Sequence, residues 1–578
     1  MSELITDKLT TRDGSNVGAV VVADIDELLL LNTNKEINTT AIVKDSNRGG
    51  VFNYDGAQSG VNNGGTIFNG WVRQYDGAVN VKWFGAVGDW DDTLKVGTDN
   101  LTAFQNAVAN QGIIYIPEGD YYISSTLYIT LSNTKLLLAP NATIRTYLSA
   151  DATIGFSGGD SQITNVGIEG GKIHSYSTSA IDGNAIGLSN VDNWFVDNVT
   201  ILNARQKGIT AQGTIAGLVT GTGRISNCVI EQAGEAGIAI EGVTSGTIFI
   251  DNCDIQNVIG ASTGSSFDGD GIVLYNDNFA TGNFDACQIS NCKIGVTSGN
   301  GLQAYHVKDV QISNLISSNA TGHGCSLRYC GKIDLSNFSV RRCGKYGFTI
   351  NNIEDSCSAV NISTKEVGYG TTDVYSAIKL QQNGTVQILL ANINVADASN
   401  LLYSIENDTT GHCKVANSFI TEGSVGYFPI VDSLIVLDTP EVMSKRLGTS
   451  QTGVSGQTVI AFDTLSSDAT SVPYGYLEST TDGITVKKAG VYNINALCYF
   501  ANATVGEAAD IEIRLNNGAI SSVNTSATIP SNNRVYAQVS HSVYLEADTT
   551  IKVRVNVWSG TYDITSYPTR TLLNVSKV

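Results

Sequence analysis

The sequence predicts an all-β chain built around a parallel β-solenoid. Its 578 residues include 60 Gly but only 7 Pro, and charged residues make up 15%. Asn, Thr, Ser, Ile and Val are abundant, which suits many short strands joined by tight turns. The middle of the chain repeats at a short period, and no helical stretch separates its apolar-polar alternations. These features together indicate stacked coils of strand.

The repeat is marked by an Asn at the end of each short alternation. It recurs in steps of 23 to 39 residues, at Asn198, Asn227, Asn252, Asn291, Asn314, Asn337, Asn361, Asn392 and Asn417. A Gly follows most of these, at Gly208, Gly237, Gly271, Gly301, Gly324 and Gly347. The LxxLxL pattern of leucine-rich repeats is absent. Each repeat is therefore predicted to be one coil, with like residues stacked about 4.8 Å apart, and the longer steps carry inserted loops.

The N-terminal end of the solenoid is predicted to be capped by a helix. The stretch "TDNLTAFQNAVAN" places Leu101, Phe104 and Val108 on one face, with Thr98 or Asp99 as the N-cap. Such a cap covers the edge strands that would otherwise be open to aggregation. The following "GIIYIPEGDYYI" is predicted to form the first coil.

These same stretches resemble a known family. "WFGAVGD", "TDNLTAFQNAV" and "GIIYIPEGDYYI" are similar to the N-terminal signature of the pectate-lyase-like right-handed β-helix superfamily, especially phage tail-spike depolymerases. That signature usually reads "GAxGDGxxDDTxAxQxAi", then "iPxGxYxi". Here Trp90 replaces the Gly, Asn100 stands for the second Asp, and "WDDTLKV" looks inserted. The preceding passage, Arg48 to Ala86, is also similar to tail spikes. The resemblance implies a right-handed β-helix, a homotrimer and a polysaccharide substrate.

Three domains are predicted. Residues 1–80 carry helix-like and loop-like sequence, and the resemblance implies that they join the virion tail or another spike. Residues 81–437 form the β-helix with its helical cap. Residues 438–578 alternate well and contain Asn-Gly and Asp-Thr turns, which predicts an antiparallel, jelly-roll-like β-sandwich. Its expected role is trimerisation, with carbohydrate binding as a second role; a generic β-sandwich is the alternative.

Charge and cysteine usage limit the partners. A net charge of −20 argues against nucleic acid or an anionic membrane. The longest apolar run, "AVVVADIDELLLLN", is interrupted by acidic residues, and the start shows no signal-peptide pattern. The chain is therefore expected to be made in the host cytoplasm and, by resemblance, to act in the virion tail at the host surface. The ten Cys are interpreted as buried reduced thiols, and neither a metal site nor a cofactor is predicted.

Candidate site residues come from the predicted stacking. If the residue after each Gly points inward, the position three residues later points outward, at Gln212, Glu241, Tyr275, Tyr305, Arg328 and Asn351. Tyr rings stack on sugars, and Arg pairs with carboxylates. Glu235, Asp268 and Asp270 lie at the turn before this strand and supply the carboxylates that a glycoside hydrolase needs, with Glu241 in reserve. Each also has an ordinary structural interpretation as a turn-forming or surface residue.

A lyase needs a base beside a uronate and a cation to neutralise the carboxylate. Tyr305, His306, His323, Arg328 and Tyr329 could supply them. The leading prediction is a phage tail-spike that binds and depolymerises a bacterial surface polysaccharide, with hydrolysis favoured over lysis. A non-catalytic receptor-binding spike, a secreted pectate-lyase-type enzyme and a purely structural virion protein are the alternatives.

Overall fold

The computed structural model describes most of the chain. The described residues are 9–10, 16–17, 19–31, 39–147, 151–159, 161–176, 183–213, 221–242, 244–260, 268–276, 284–370, 375–382, 387–396, 405–409, 413–416, 419–420, 442–446, 451–459, 464–465, 477–480, 483–487, 490–501, 509–516, 518–523, 534–564 and 572–577. They fall into two compact units, Met1–Phe348 and Thr349–Val578. The repeat Asn417, the insertion at 261–267 and the predicted domain boundary at 437/438 lie outside the described residues.

The first eighty residues hold a small mixed sheet, where the sequence predicted helix and loop. Its strands, in spatial order, are Ala19–Val22, Thr40–Val43, Gly50–Tyr54, Trp71–Gln74 and Ile67–Phe68. The remaining elements are a strand pair, Leu9–Thr10 with Asn16–Val17, the helix Ile25–Leu30, and two 3₁₀ helices, Gly56–Gln58 and Val81–Phe84. Leu28, Phe52, Phe68 and Trp71 form its core. The short β-branched runs escaped the prediction because none shows a long alternation.

The predicted cap helix forms, but its N-cap is one residue later than expected. The helix spans Leu101–Val108, with Phe104 fully buried and Asn100 in the N-cap position. The Asn100 side chain instead binds the loop before the helix, where its Oδ1 accepts a hydrogen bond from Val87 N at 2.7 Å. Asp99 still serves the helix end, because its carboxylate accepts from Leu101 N at 3.1 Å. In the described part of the chain, no helix has the length and apolar character needed to cross a membrane.

Three ladders of parallel strands build the solenoid of the first unit, as predicted. Ladder 1, preceded by Val79–Asn80, contains Gly112–Ile116, Thr134–Leu138, Ile163–Glu169, Val191–Asp197, Gly223–Ser226, Thr244–Asp251, Phe284–Ser290, Val307–Ser313 and the first half of Lys332–Cys343. Ladder 2 contains Gly119–Tyr122, Ala142–Thr146, Lys172–Ser175, Thr200–Ala204, Val229–Ile230, Asp254–Val258, Lys293–Thr297, Ile316–Ala320 and the second half of Lys332–Cys343. Ladder 3 contains Leu127–Ile129, Ala152–Ser157, Asn184–Ser189, Lys207–Gly213, Ala236–Gly242, Asp270–Tyr275, Leu302–Tyr305 and Cys325–Arg328.

The repeating Asn forms the corner between ladders 1 and 2. Each described member adopts the left-handed conformation, with φ between 52° and 58°, which Asn tolerates better than other residues with a side chain. The side chains bond from coil to coil: Asn252 donates to Asn227 at 2.8 Å, Asn314 to Asn291 at 2.9 Å, and Asn337 to Asn314 at 3.0 Å. We call this the Asn column. It lets a chain turn sharply without leaving side-chain amides unpaired.

The interior is apolar and closely stacked. The residues predicted to point inward on ladder 3 are fully buried, namely Ile209, Ile238, Ile272, Leu302, Cys325 and Phe348. Behind the Asn column, Cys228, Cys253 and Cys292 are also buried. The cysteines whose side chains are described are buried, as expected of small hydrophobic residues.

The second unit begins with parallel strands and ends with antiparallel ones. Its parallel strands, after Phe348–Asn351 at the unit boundary, are Ser356–Val367, Ile378–Gln382, Gln387–Ala391, Asn394–Ala396, Ile405–Thr409, Cys413–Ala416 and Phe419–Ile420. The antiparallel strands are Val442–Arg446, Gln451–Val459, Thr464–Leu465, Leu477–Thr480, Gly483–Val486, Gly490–Ala501, Ala509–Leu515, Gly518–Val523, Arg534–Leu545, Thr549–Ile564 and Leu572–Lys577. The predicted change of pairing toward the C-terminus is therefore confirmed.

Candidate functional site

The outward column predicted on ladder 3 exists in the structure. The parallel register pairs Gln212 with Glu241, Glu241 with Tyr275, Tyr275 with Tyr305, and Tyr305 with Arg328. All five side chains are half-buried. The sixth predicted member, Asn351, belongs to the second unit, where its amide donates to Gln381 Oε1 at 3.2 Å.

An aromatic cluster occupies the centre of this column. The rings of Tyr275 and Tyr305 stack with centroids 5.4 Å apart and planes 18° from parallel. His306 and Tyr329 adjoin Tyr305 from the following corner, with ring centroids at 4.2 and 5.4 Å. Both corner residues have positive φ, so the turn itself presents their side chains beside the column. Stacked phenols and an imidazole form the kind of surface on which a sugar ring packs.

Small side chains lie between this column and the strand starts. Ala239, Val273 and Ser326 take the alternate outward positions and are fully buried. They are covered by longer neighbours: Tyr275 packs on the apolar pair, and Arg328 Nε donates to Ser326 Oγ at 3.1 Å. Gln303 takes the same position on the coil between Val273 and Ser326 and is half-buried. The predicted acids lie at the starts of these strands and in the turns before them.

Asp270 is the most buried of the predicted acids. Its residue is only 2% exposed, and its Oδ1 accepts from Asn300 N at 2.5 Å. Burial raises the pKa of its carboxyl to about 6, and the nearby Asp268 also raises it, against the lowering effects of the Asn300 hydrogen bonds and of Arg328. A carboxyl with this pKa is substantially protonated in weakly acidic solution. It can therefore donate a proton, which an ordinary surface Asp cannot do at that pH.

Glu235 lies on the turn of the preceding coil, and Asp268 lies two residues before Asp270 on the same turn. The carbonyl of Glu235 accepts from Gly269 N at 2.7 Å and from Asp270 N at 3.1 Å, which fixes the two turns against each other. The Glu235 residue is 5% exposed, and Lys207 Nζ lies 3.8 Å from its Oε1. The structure thus places the backbone of Glu235 against Asp270 and the carboxylate of Asp268 close enough to Asp270 to raise its pKa.

Glu241 has a different environment. Lys207 Nζ lies 2.7 and 2.9 Å from its two carboxylate oxygens, so the ion pair neutralises the carboxylate. The pair joins two neighbouring coils, because Lys207 and Glu241 belong to adjacent strands of ladder 3. Glu241 fits the reserve role better than the acid role: it positions Lys207 and borders the aromatic column.

His323 is buried on the same side as Asp270. Its residue is 9% exposed, and its ring stacks on Tyr346 with centroids 5.5 Å apart. Burial lowers the pKa of His323 to about 4, with Arg328 and Lys345 adding to the effect. Within the described residues, its Nδ1 makes no hydrogen bond. This nitrogen is itself buried, and a neutral imidazole with a lowered pKa is a weak base.

Asn300 is the residue that sequence reasoning missed as part of the site. It bonds Asp270 through its backbone N, its Oδ1 accepts from His323 N at 2.9 Å, and its Nδ2 donates to Gln303 Oε1 at 2.9 Å. It therefore joins three successive coils. Its place in the same coil position as Asp270 and His323 was a usable signal, but an Asn beside a Gly is most often only a turn residue.

Two open grooves, of about 360 and 400 Å³, lie on ladder 1, away from these acids. The second contains Asp197 and Asp251. Both carboxylates are engaged in the Asn corner, where Asp251 accepts from Ser290 and Asn291, and the Ser290 hydrogen bond lowers its pKa. Both acids hold the Asn corner together through their hydrogen bonds, so the ladder 3 face remains the better candidate for catalysis. Among the described residues, no group of three or more His, Cys, Asp or Glu could hold a metal ion.

Comparison with known proteins shows a short sequence match to a phage protein. No family model matches the chain. A stretch of 57 residues is 40% identical to the capsule K3-specific Depolymerase 1 of Klebsiella phage KP32, and it covers 9% of this chain and 7% of that relative's length. The chain is similar to a phage depolymerase. The resemblance predicted from the sequence is confirmed over this stretch.

Solved structures that resemble the chain are distant in sequence. They include tailspike protein 2 of bacteriophage CBA120, with 13% identity, a TM-score of 0.46, and coverage of 96% of this chain and 85% of that one. Another is tailspike gp49 of Acinetobacter baumannii phage Fri1, described as a capsular polysaccharide depolymerase, with 12% identity, a TM-score of 0.42, and coverage of 97% and 100%. The Streptococcus pneumoniae adhesin PfbA has 15% identity, a TM-score of 0.46, and coverage of 61% and 99%. Likeness at this level does not carry function.

Proposed function

We propose that this protein is a phage tail-spike that depolymerises a bacterial surface polysaccharide by glycosidic hydrolysis. The observation that carries the hydrolytic assignment is Asp270, a buried carboxyl with a pKa of about 6 that lies near the Asp268 carboxylate and whose backbone N donates to the Glu235 carbonyl. The similarity to a capsule-specific phage depolymerase supports the substrate class. The stacked phenols of Tyr275 and Tyr305 support binding of sugar rings on the same face.

In this proposal Asp270 is the general acid. It donates its proton to the glycosidic oxygen as the bond to the anomeric carbon breaks, so the leaving sugar departs as a neutral alcohol. Glu235 or Asp268 supplies the second carboxylate. That group either takes a proton from the attacking water or bonds the anomeric carbon directly before water replaces it. The anomeric form of the first product distinguishes the two.

The remaining residues bind and orient the chain. Tyr275 and Tyr305 offer stacked rings, His306 extends that surface, and Arg328 places a guanidinium at its end. Because the protein carries a net charge of −20, a local cation is needed to hold any acidic sugar against long-range repulsion.

The chemistry is tested by product analysis in water enriched in ¹⁸O. Purified capsular polysaccharides from several Gram-negative bacteria are incubated with the protein, and released oligosaccharides are weighed by mass spectrometry. Hydrolysis adds the elements of water, so each new reducing end should carry one heavy oxygen. β-Elimination adds no water and leaves an unsaturated sugar instead. Unsaturated products without heavy oxygen would assign the protein as a lyase, with Tyr305 and Arg328 as the residues to study next.

We propose further that the chain forms a homotrimer mounted on the virion tail through residues 1–80, with residues 438–578 assisting assembly. The resemblance to tail spikes and the antiparallel C-terminal strands support this arrangement. Light scattering should give about three times the chain mass of 61.1 kDa. A stable species of single-chain mass would contradict it. Truncation near Pro440 should reduce the heat resistance of the assembly.

A further inference from the structure

A second aromatic cluster lies at the N-terminal end of the solenoid, several coils before the acids. Trp90 stacks on Tyr122 with ring centroids 5.1 Å apart and approaches Tyr147 at 5.9 Å. Tyr147 in turn stacks on Tyr176 at 5.0 Å, with the ring planes 15° from parallel. Tyr176 is 44% exposed, whereas Trp90 is only 9% exposed. We call Trp90, Tyr147 and Tyr176 the distal aromatic stack.

Charged groups hold this stack in place. Arg145 bonds both carboxylate oxygens of Asp120, at 2.6 and 2.5 Å, and also Asp92 at 3.0 Å. Its guanidinium lies 5.5 Å from the Trp90 ring. Trp90 and Asp92 belong to the stretch that looks inserted relative to the tail-spike signature, a stretch closed by the pairing of Asp91 with Val96. The inserted residues thus supply the base of the stack and one of its anchors.

The distal aromatic stack and the acids lie at the same corner of the solenoid, on different coils. The last residues of ladder 2 pair in order as Thr146 with Ser175, Ser175 with Ala204, and Ala204 with Ala233. The residues that follow them are Tyr147, Tyr176, Arg205 and Gly234, so these form a column along the solenoid. Glu235 is the next residue after Gly234. The stack therefore lies about three coil spacings, ~14 Å, from the proposed site.

An open groove begins at Tyr176 and extends toward the acids as far as Gly234 and Ile259. It has a volume of about 260 Å³ and is lined by residues that include Tyr176, Asn203, Arg205, Gln232 and Gly234. Polar amides and a guanidinium along its length can pair with hydroxyls and carboxylates, and Gly234 contributes no side chain at the end nearest the acids. The lining changes from aromatic to polar along the groove, which is how sites for carbohydrate chains combine stacking with hydrogen bonding.

We propose that the distal aromatic stack is a remote subsite for the same polysaccharide, which would lie along the solenoid from Tyr176 through the groove to the acids. This inference rests on the proposed function for its substrate class. The exposed face of Tyr176 packs on one sugar ring, and Arg205 pairs with a hydroxyl or carboxylate of the next. A chain that reaches both ends gains binding that a short fragment held at the acids alone does not gain.

The test compares a long and a short ligand in binding. Asp270→Asn serves as the background, so that the ligands survive, and Tyr176→Ala is added to it. The ligands are a panel of purified capsular polysaccharides and, for each polymer bound, its shortest binding fragment, made by mild acid treatment. Because one stacked ring contributes up to roughly tenfold in affinity, the preference for polymer over fragment should fall about tenfold. Tyr176→Phe should restore it.

The matched control is Tyr75→Ala. Tyr75 is 45% exposed and packs on Trp83 with ring centroids 5.2 Å apart. The Tyr75→Ala variant therefore loses a comparable aromatic contact at a position away from the groove. Its variant should keep the wild-type preference for polymer. Equal thermal unfolding of the Tyr176 and Tyr75 variants shows that folding does not explain the difference.

The outcomes separate this inference from the proposed function. Unchanged preference for polymer in Tyr176→Ala contradicts the subsite, even if cleavage at the acids is intact. Equal weakening of polymer and fragment also contradicts it, because the residue then acts at the acids or through the fold. A protein that cleaves nothing but binds polymer through Tyr176 retains the subsite and loses the enzymatic proposal. Failure to bind any polymer of the panel contradicts both.

Discussion

Two sides of the same solenoid differ in whether their side chains repeat from coil to coil. At the corner between ladders 1 and 2, the same residue recurs coil after coil, with the same left-handed φ and the same amide bond to its neighbour. On the outer face of ladder 3, the residue changes at every coil, from Gln to Glu, Tyr, Tyr and Arg. The backbone pairing is equally regular on both sides, so only the side chains distinguish them.

This difference indicates that the Asn corner contributes stability and that the ladder 3 side carries the chemistry. Identical stacked groups satisfy one another, and the corner needs nothing else. The outer column of unlike groups does not pair in this way. The buried groups with shifted pKa values, Asp270 and His323, lie on the same coils, at or just before the starts of the ladder 3 strands. Perturbed pKa values collect at functional sites because the fold, and not the individual residue, supplies the energy that maintains them. Changes on the two sides should therefore have different consequences.

The largest expected effect is on catalysis at the ladder 3 face. Asp270→Asn removes the proton donor but keeps the shape, and it should lower the rate of cleavage by about a hundredfold or more. Glu235→Gln should cost a similar factor if Glu235 is the second carboxylate. Asp285→Asn, on ladder 1 beside Lys308, is the control and should keep the rate. The rate is followed as release of reducing ends.

The same set of variants tests whether any of the four carboxylates takes part in cleavage. If Asp270→Asn, Glu235→Gln, Asp268→Asn and Glu241→Gln all cleave at near-normal rates as folded proteins, hydrolysis on this face is excluded. The candidates would then be the His and Tyr side chains of the column or a groove between subunits.

A second prediction concerns stability against pH. The pKa of His323 is lowered from 6.5 to about 4, so its contribution is fully present above pH 6.5 and is lost as the pH falls toward 4. The pKa of Asp270 is raised from 3.8 to about 6, so its contribution is present below pH 3.8 and is lost as the pH rises through 6. Each contribution is on the order of 3 kcal/mol in the free energy of unfolding.

Removing each group should therefore tilt the stability profile in opposite directions. Relative to wild type, His323→Gln should gain stability on going from pH 7 to pH 4, and Asp270→Asn should lose it. Denaturant unfolding at both pH values measures this. Parallel profiles for the two variants would show that neither group is perturbed as described.

The third prediction tests the Asn column. Asn314 donates to Asn291 and accepts from Asn337, so Asn314→Ala should lower the free energy of unfolding by about 2 kcal/mol more than its control. The control is Asn319→Ala, because Asn319 shares the positive φ but is not part of the column. Cleavage per folded molecule should be unchanged in both. Equal destabilisation would mean that the backbone conformation, and not the stacked amides, matters.

The smallest expected effect is on substrate binding. Arg328→Ala and Tyr305→Phe should raise KM by about tenfold or less with kcat retained, because in a hydrolase these groups bind the chain without transferring a proton. In a lyase, either change should abolish most of kcat. Measuring the two parameters separately therefore distinguishes the chemistries.

The features that repeat along the chain were predictable from the sequence, and the burial and pairing of individual side chains were not. Asn and Gly anchors gave the coil register well enough to align Glu241, Tyr275, Tyr305 and Arg328 correctly, because stacking obliges residues at equivalent positions to meet. The parallel coils, the cap helix and the C-terminal antiparallel strands followed from alternation and turn chemistry. The pattern reported nothing about which of these side chains would be buried or paired.

What escaped prediction depends on contacts across coils. The pairing of Lys207 with Glu241 and the role of Asn300 rest on side chains meeting from different turns. The distal aromatic stack joins Trp90, in the stretch that looks inserted, to Tyr147 and Tyr176, on coils that precede the first Asn anchor at Asn198. The N-terminal sheet was missed because its strands are two to five residues long, too short to establish a period.

The pH dependence of kcat/KM tests the central claim most directly, namely that Asp270 acts as the acid. The free-enzyme pKa of an essential acid appears as a fall in kcat/KM on the alkaline side. With its pKa at about 6, kcat/KM should fall about tenfold for each pH unit above that value, and only the protonated form of Asp270 should be active. A kcat/KM that instead rises through pH 6 and stays high would mean that an ionised group does the work, and it would contradict the account.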